Sequence, residues 1–554
     1  MFVPMRQKRR LSALFAAALL GLLALAAPEL EAAPPARSAV ATESATTSRE
    51  ALAVLAAGGN AIDAAVCAAL VTGVVSPTSS GLGGGGFAMV WLAAEKRAVL
   101  LDFRETAPRD VDVAALQKGV PPSEERGKLV GTPGELAGLY ELHRRHGKMP
   151  WASLVARAEN LARGGFAVEG HLAAALSGRS AQGFQRDASL KALFYPGGKA
   201  VKLGQRLRRP NLAKTLASIK TQGPAALYSG PVAAELAKVV REHGGALSEE
   251  DLKSYQVKER TPLARRWDNY DVLTMPPPSS GGLILSEVLA WGGRDAFRRL
   301  GLRTPLYMHM VGELVRGGIA DRMRYVGDPD QVKVDTAALL EPERLARRAA
   351  MITPDRTHAA RSFARGAGTH HLSVLDSDGN AVALTTTVNG AFGADIVAPA
   401  SGIVLNDQLD DFFNDGEVRA YDVPNPNPAR PGARPTSSMT PTIVLENGRV
   451  VLALGASGGT DIPASVLQVL LARLVFDEPI DKAVAVRRFY PAYAVPTLRL
   501  DEGWSERELA ELAWRGERTT QQTSTGIAVQ VVENAPDGAR AAADPRKFGL
   551  GLTR

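Results

Sequence analysis

A threonine followed by two histidines, in GAGTHHLSVLDSDGNAVALTTTVN, is the feature with the clearest chemical potential in this sequence. A threonine hydroxyl is a weak nucleophile until a base takes its proton, and the α-amine of an N-terminal threonine, with a pKa of about 8, can be that base. Thr369 would gain such an amine if the peptide bond after Gly368 were cut. The residues alone equally allow the ordinary alternative, in which Thr369 opens a strand because of its β-propensity.

Hydroxyl and amide side chains recur in the strand that follows. Alternation along TTTVN sends Thr385, Thr387 and Asn389 to the face that Thr369 would occupy. A set of polar residues on one face of a hairpin is compatible with a site, although each of these residues is also common in ordinary strands.

Acidic and amide residues cluster further along, in LNDQLDDF. This segment supplies Asn406, Asp407, Gln408, Asp410 and Asp411. Such a group suits a substrate ammonium, a metal, or nothing in particular. We expect no metal and no other cofactor, because the nearest histidines, His370 and His371, point to opposite faces of a strand.

Three further segments carry polar groups that could belong to a site. RPTSSM contains the paired hydroxyls of Ser437 and Ser438, and GASGGTDIP places Gly458 and Gly459 just before a predicted helix. Backbone N–H groups at a helix N-terminus favour an anion, which here would be the oxyanion of an acyl transfer or a phosphate. Arg104, near the end of the predicted strand RAVLLDFRETAP, can bind a carboxylate through two parallel N–H groups.

The elements that must position these residues follow from periodicity and turn residues. Helices are predicted at 48–57 and 61–74, separated by GGN, and two strands follow them. The chain from about 111 to 351 is mainly helical in pattern, and the stretch 353–368 has the composition of an exposed flexible tail.

Beyond residue 368 the pattern changes to strands. Runs at 371–375 and 381–388 flank the turn Asp378-Gly379 and predict a β-hairpin. GIVLND, PTIVLENGRVVLALG and GIAVQVV predict further strands, and one strong helix is predicted at about 462–476. Both parts of the chain therefore carry strands that could share a sheet.

Composition and the N-terminal segment limit the classes of protein to which this chain can belong. The chain has 554 residues, of which 45% are hydrophobic and 22% charged, as in a globular protein. Basic residues before an apolar run at 11–27 predict a secretory signal peptide, with an uncleaved membrane anchor as the alternative. The single cysteine, Cys67, excludes an intrachain disulfide. The basic cluster QRLRRP predicts a solvated face, and we expect no nucleic-acid partner.

Ten ordered blocks together resemble the γ-glutamyltranspeptidases of the N-terminal-nucleophile hydrolase superfamily. They are GGNAIDAAVCAAL, SGLGGGGFAMV, LDFRETAP, GTPG, MPPPSSGG, GDPD, THHLSVLDSDGNAVALTTTVN, FGADIVAPASGIVLNDQLDDF, RPTSSMTPTIV and GASGG. The resemblance implies an α+β fold, a four-layer αββα sandwich, made as a precursor that cuts itself before Thr369. It divides the chain into a signal peptide (1–32), a helix-rich large subunit (33–368) and a strand-rich small subunit (369–554), and the two subunits stay associated.

The resemblance also implies a role for each candidate site residue. Thr369 would process the precursor and then form a γ-glutamyl ester, with its freed amine as base and Thr387 bonded nearby. The other residues divide by what they would contact: the substrate's α-carboxylate (Arg104, Ser437 and Ser438), its α-ammonium (Asn389, Gln408 and Asp411) and the oxyanion (Gly458 and Gly459).

Three positions depart from the family pattern or extend it. His370 stands where the family has threonine or serine, and Asp407 replaces a common asparagine. The proline-rich segment from Tyr421 to Pro435 falls where relatives often have a lid over the glutamyl pocket, and Tyr421 is a candidate gating aromatic.

The expected activity is cleavage of the γ-glutamyl bond of glutathione and related compounds, with transfer to water or to an amino acid or peptide. The expected location is periplasmic or secreted, without stable membrane insertion after signal cleavage. The alternatives are an acylase for glutaryl amides or poly-γ-glutamate, and an unprocessed phosphate-binding protein. Asp411 argues against a glutaryl substrate, because a glutaryl group has no ammonium to bind.

Overall fold

The computed structural model describes residues 37–178, 187–358, 368–421, 424–491, 497–522 and 526–554. The predicted signal peptide lies outside these residues, as does the part of the predicted tail at 359–367. In the described ranges, no helix is both long and apolar enough to cross a membrane.

Eighteen strands are present in the described residues. They are β1 (Ala39–Thr42), β2 (Gly85–Leu92), β3 (Arg97–Phe103), β4 (Phe166–Ala167), β5 (Arg206–Leu207), β6 (Lys258–Glu259), β7 (Leu263–Trp267), β8 (Tyr270–Thr274), β9 (Gly368–Leu375), β10 (Ala381–Asn389), β11 (Thr442–Glu446), β12 (Arg449–Ser457), β13 (Phe489–Pro491), β14 (Thr497–Asp501), β15 (Arg518–Gln522), β16 (Ala528–Ala535), β17 (Gly538–Ala543) and β18 (Leu550–Thr553).

Two antiparallel sheets form the centre of the molecule. The first has seven strands in the order β18-β1-β9-β10-β2-β3-β6, and the second has six in the order β17-β16-β12-β11-β8-β7. Each sheet combines strands from before and after residue 369. The predicted large and small subunits therefore share both sheets, as expected of a chain in which both parts carry strands that could pair in one sheet.

Helices cover the outer faces of both sheets. The α-helices are Ala45–Ala56, Ala61–Val75, Val113–Lys118, Glu135–His146, Trp151–Gly164, Gly170–Ser177, Ala188–Phe194, Pro210–Gln222, Ala225–Tyr228, Gly230–Glu242, Glu249–Lys253, Gly281–Leu289, Arg294–Arg298, Pro305–Tyr325, Thr336–Leu339, Pro342–Met351, Asp415–Tyr421, Ile462–Leu474, Ile480–Ala485 and Glu506–Trp514. Ala61–Val75 packs on β9 and β10, whereas Ile462–Leu474 packs on β12.

The two main hydrophobic cores show that these elements form four layers. One core joins the helix Ala61–Val75 to the outer face of the first sheet, including Leu372 and Val374 of β9. The other fills the space between the sheets, where Ala381 and Ala383 of β10 lie, and continues to the helix Ile462–Leu474. The order helix, sheet, sheet, helix confirms the predicted α+β sandwich.

The predicted helical pair near the N-terminus forms because its turn residues satisfy the helix ends. Gly58 has φ +91°, which favours glycine after the first helix. Asn60 accepts from the backbone N–H of Asp63, and Asp63 accepts from the backbone N–H of Asn60, so a capping box opens the second helix.

The predicted hairpin forms with a register that places the site. β9 and β10 flank the turn at Gly379, and Thr387 lies directly opposite Thr369. The register shifts between Thr387 and Asn389, where Asn389 has φ +74° and pairs with Gly368. This bulge ends the regular ladder next to the threonine and turns the chain toward the cleft.

Some sequence predictions were wrong. GIVLND forms a single bridge, between Val404 and Val397, and not a strand. The part after residue 369 contains three helices besides Ile462–Leu474, of which Glu506–Trp514 has its own capping box. The stretch 111–351 is mainly helical, as predicted, but it also contains β7 and β8, which complete one side of the second sheet.

Replacing the buried carboxylate of Asp63 tests this account of the helical pair. Besides the N–H of Asn60, it accepts the N–H groups of Lys148 and Met149 at 3.0 and 3.1 Å. Asp63→Ala leaves three donors unpaired, so we expect a loss of at least about 3 kcal/mol in the free energy of unfolding. Thermal melting followed by circular dichroism measures it, with exposed Asp110→Ala as control; equal melting temperatures for the two variants would contradict it.

Candidate active site

A small cleft lies at the end of the β9–β10 hairpin. Its cavity volume is only about 20 Å³, well below the range for small-molecule sites, so the lining side chains lie close together. The lining residues are Arg104, Arg322, Thr369, Thr387, Asn389, Gln408, Asp411, Ser437, Ser438, Met439, Gly459, Thr460 and Ile462. Nine of the ten predicted site residues are in this set, and Gly458 is the exception.

The hydroxyl of Thr387 organises the surroundings of Thr369. It donates to the carbonyl oxygen of Gly368 at 2.7 Å and accepts from the backbone N–H of Asn389 at 2.8 Å. The two threonine Oγ1 atoms are 3.1 Å apart. Because a hydroxyl has one proton and that of Thr387 points to Gly368, Thr369 is the donor in this pair. The Thr369 oxygen therefore has its lone pairs available.

Arg104 is almost fully buried and anchored by its own neighbours. Its Nη2 donates to Asp411 at 2.6 Å and to the carbonyl of Thr436 at 2.8 Å, and its Nε donates to the carbonyl of Pro435 at 3.3 Å. Its Nη1 lies 3.9 Å from the carboxyl of Glu105. Burial raises the pKa of Glu105 to about 8, against the opposing effect of Arg104. Near pH 7 the protonated Glu105 leaves Asp411 as the counter-charge of Arg104.

The acceptor oxygens of Asp411 and Gln408, next to Arg104, can bind a cation. Asp411 also accepts from Nε2 of Gln408 at 2.8 Å, which leaves the amide oxygen of Gln408 facing away from that bond. This oxygen is buried and has no hydrogen-bond partner among the described residues. A buried acceptor without a donor, next to a carboxylate, suits an ammonium.

Ser437 and Ser438 lie between the cleft and the second sheet. The Ser437 Oγ accepts from the N–H of Met439 at 3.1 Å, and Ser438 accepts a hydrogen bond from Arg322. Sequence analysis missed Arg322, which lies near the end of the helix Pro305–Tyr325. Its local pattern is that of a helical surface arginine, and only the packing of this helix end against Ser438 places it at the site.

The glycine loop has a backbone that other residues would not adopt easily. Gly458 and Gly459 have φ +124° and +66°, and a Cβ on Gly458 would lie 2.5 Å from Cγ1 of Ile527. A single helical turn follows and leads into Ile462–Leu474. The loop therefore presents bare main chain, with Gly459 in the cleft lining and Gly458 immediately before it in the chain.

The segment after Asp411 lies beside the cleft. Asn427 donates from Nδ2 to the carbonyl of Asp411 at 2.7 Å and to Oγ1 of Thr436 at 2.9 Å. The side chain of Tyr421 lies outside the described structure, so its gating role stays a prediction. Asp407 does not line the cleft: its carboxylate accepts from the N–H of Gly390 at 2.7 Å and pairs with Arg126 at 3.0 Å.

The two histidines after Thr369 point to opposite faces, as predicted. His371 bonds to Thr385 between the sheets, whereas His370 lies 3.4 Å from the hydroxyl of Thr72 in the helical layer. Burial lowers the pKa of both rings, that of His370 to about 3. Neither imidazole lines the cleft, so the base for Thr369 must come from elsewhere.

Comparison with solved structures shows the same architecture elsewhere. A cephalosporin acylase from Bacillus halodurans superposes with a TM-score of 0.83 at 25% identity, covering 95% of this chain and 99% of the acylase. The γ-glutamyltranspeptidase of Helicobacter pylori matches with a TM-score of 0.54 at 33% identity, covering 57% of this chain and 91% of the matched chain.

Sequence comparison gives matches over nearly the whole chain. Glutathione hydrolase 2 of Arabidopsis thaliana is 38% identical, over 92% of this chain and 93% of the relative. The glutathione hydrolase proenzyme of Escherichia coli K12 is 34% identical, over 92% and 90%. The family model described as gamma-glutamyltranspeptidase matches residues 47–552. With this match, these relatives and the αββα sandwich, the chain belongs to the γ-glutamyltranspeptidase family.

Proposed function

We propose that this protein is a γ-glutamyl hydrolase and transpeptidase that acts on glutathione and related compounds through a γ-glutamyl ester on Thr369. The observation that carries the proposal is that one cleft contains a poised hydroxyl, a glycine loop and a cation paired with an anion. The cation and the anion can bind the α-carboxylate and the α-ammonium of a substrate. Acyl transfer needs the hydroxyl as nucleophile and the glycine loop to stabilise the oxyanion.

Maturation is the first step of the proposal. Oγ1 of Thr369 attacks the carbonyl carbon of Gly368, the C–N bond breaks, and the nitrogen of Thr369 takes the hydroxyl proton. Water then hydrolyses the resulting ester and leaves a carboxylate on Gly368 and a free amine on Thr369. The hydrogen bond from Thr387 to the Gly368 carbonyl supports this step, because it stabilises negative charge on that oxygen. The name proenzyme, carried by the Escherichia coli relative, also supports a cleaved precursor.

Catalytic turnover then uses the same Oγ1 of Thr369, together with the amine that maturation has freed. The freed amine takes the proton of Oγ1, which attacks the γ-carbonyl carbon of the donor. The N–H groups of Gly458 and Gly459 stabilise the oxyanion, and the leaving amine departs with the proton. Water or an acceptor amine then attacks the ester, and the oxygen of Thr369 recovers its proton.

Substrate recognition follows from the charges already in the cleft. The α-carboxylate binds at the Nη1 side of Arg104 and at Ser437 and Ser438. The α-ammonium binds Asp411 and the unpartnered oxygen of Gln408, with Asn389 nearby. A zwitterion adds one charge of each sign beside the Arg104–Asp411 ion pair, so its binding leaves the net charge of the site unchanged.

The proposal includes export. Residues 1–32, with basic residues before an apolar run, would direct the precursor to the periplasm or the medium, where the signal is removed.

A second candidate function has one observation in its favour. The cephalosporin acylase of Bacillus halodurans shares the whole architecture, which favours an acylase for glutaryl or poly-γ-glutamyl amides. The pairing of Asp411 with Gln408 next to an unpartnered amide oxygen supports the γ-glutamyl donor over a glutaryl one, because only the former brings an ammonium.

Replacing the nucleophile separates the maturation step from folding. Thr369→Ala removes the attacking oxygen, so we expect a single full-length band on a denaturing gel and no release of p-nitroaniline from γ-glutamyl-p-nitroanilide. Thr369→Ser keeps a hydroxyl and should still give two bands. Two fragments from Thr369→Ala, or a wild-type small fragment whose first residue is not Thr369, would disprove the assignment.

Neutralising Asp411 tests substrate choice. Asp411→Asn keeps the shape of the side chain but removes the charge that pairs with the ammonium, so we expect the KM for γ-glutamyl-p-nitroanilide to rise about tenfold or more. The KM for glutaryl-p-nitroanilide should stay the same or fall. Asp410→Asn, next in sequence but not in the cleft lining, is the matched control. Equal KM changes for both substrates would contradict the ammonium assignment.

A further inference from the structure

A buried lysine outside the cleft contacts the main chain of the nucleophile. Lys547 lies in a short turn after β17, and only 2% of it is exposed. Its Nζ donates to the carbonyl oxygen of Thr369 at 3.3 Å and to Oγ of Ser457 at 2.7 Å. It also lies 3.3 Å from the carboxylate of Glu43. The ammonium thus donates two hydrogen bonds, to Thr369 and Ser457, and Glu43 supplies the charge that balances it.

The partner Ser457 matters because of its position. It is the last residue of β12, and the peptide that joins it to Gly458 carries one of the N–H groups assigned to the oxyanion. β12 belongs to the second sheet and β9 to the first. Lys547 therefore connects the residue that attacks to the strand end that leads into the glycine loop, across the space between the two sheets.

Glu43 completes the connection from the other side. Its Oε2 pairs with Lys547, and its Oε1 accepts from the backbone N–H of His371 at 3.0 Å. The strand that begins with Thr369 is thus held at two points, one carbonyl and one N–H. Glu43 and Lys547 are both nearly fully buried, where an ion pair is little screened by water. After cleavage at residue 368 they would belong to different subunits.

We propose that Lys547 is a positioning residue that fixes the distance between the Thr369 hydroxyl and the oxyanion loop. The inference rests on the proposed function, in which Thr369 is the nucleophile. Lys547 does not line the cleft, and the groups that hold the donor's α-carbon, Arg104 and Asp411 among them, lie elsewhere. Loss of its contacts should therefore lower kcat and leave substrate binding unchanged, because a displacement of about 1 Å costs about a hundredfold in rate.

The first test removes one contact and keeps the buried charges paired. Ser457→Ala deletes the hydroxyl that binds Lys547, while Glu43 and the Thr369 carbonyl remain. We expect this variant to mature and melt like the wild type, with kcat for γ-glutamyl-p-nitroanilide lowered about tenfold and KM within about twofold. Ser373→Ala is the matched control: Ser373 is a buried serine of β9 whose hydroxyl is bonded to Nε2 of His371 at 3.1 Å and donates to the Gln530 carbonyl of the second sheet at 3.3 Å. It should keep the wild-type kcat.

The second test removes the whole connection. Lys547→Met alone would leave Glu43 buried without its partner, so it is combined with Glu43→Gln. We expect this double variant to lose about a hundredfold or more in kcat at an unchanged KM. If it fails to fold, the comparison of Ser457→Ala with Ser373→Ala still decides.

Three outcomes would overturn the inference: a wild-type kcat in Ser457→Ala, a change confined to KM, or an equal loss in Ser373→Ala. The proposed function fails by a different result. A wild-type protein that releases no p-nitroaniline, or whose small fragment does not begin at Thr369, would reject the nucleophile itself. If the wild type passes both checks and the variants keep their kcat, only the role of Lys547 is rejected.

Discussion

The site depends on the pairing of two strands, β9 and β10, in a register that sets Thr369 opposite Thr387. In an antiparallel ladder, side chains of directly opposed residues share a face and lie close together, so this register alone brings the two hydroxyls within 3.1 Å. A slip of one residue would move Thr369 to the helical face, where His370 now lies. The register is fixed by the buried residues on both faces of β9, because Leu372 and Val374 face the helices while Leu375 faces the second sheet.

The charged part of the site is held in place by a second set of contacts, around the buried Arg104. Arg104 leaves the end of β3 at the edge of the cleft, and its bonds to two backbone carbonyls fix its guanidinium before any substrate arrives. Asp411 balances its charge at 2.6 Å. Because this ion pair is fixed in advance, binding of a charged ligand costs little in reorganisation of these side chains.

The local sequence alone predicted the elements that begin or end at distinctive turn or helix-capping residues. Asp378-Gly379 and Asn447-Gly448 mark hairpins, and Asn60 marks a helix start; all three occur as predicted. The helix Glu506–Trp514 has an equally local signal, since Ser505 and Glu508 form a capping box, and it could have been found the same way. GIVLND fails for a different reason: its short apolar run fits a strand, but among the described residues no strand pairs with it beyond one bridge, to Val397.

The site residues also divide into those that the sequence could identify and those that only tertiary packing places at the site. Those within motifs, such as Ser437, Ser438 and Gly459, could be recognised from the family pattern, and the cleft contains them. Arg322 and Lys547 could not, because a cation in a helix or turn is ordinarily solvated and only tertiary packing buries these two. Residues that contact a site from outside its cleft cannot be recognised from the local sequence, since their partners are distant in sequence. Lys547 and Glu43 are separated by almost the whole described chain.

Gly368, the residue before the proposed nucleophile Thr369, occupies a position that only glycine can fill. A Cβ on Gly368 would lie 2.1 Å from the carbonyl oxygen of Gly390, so only glycine fits between β10 and the start of β9. That fit holds the Gly368 carbonyl against the Thr387 hydroxyl and next to the Thr369 oxygen. Under the proposed maturation, Gly368 of the uncut chain would occupy the place of an acyl group, as the first substrate of the site. Cleavage would then free the amine that later turnovers need and allow Gly368 to leave, so a substrate would enter only after the base exists.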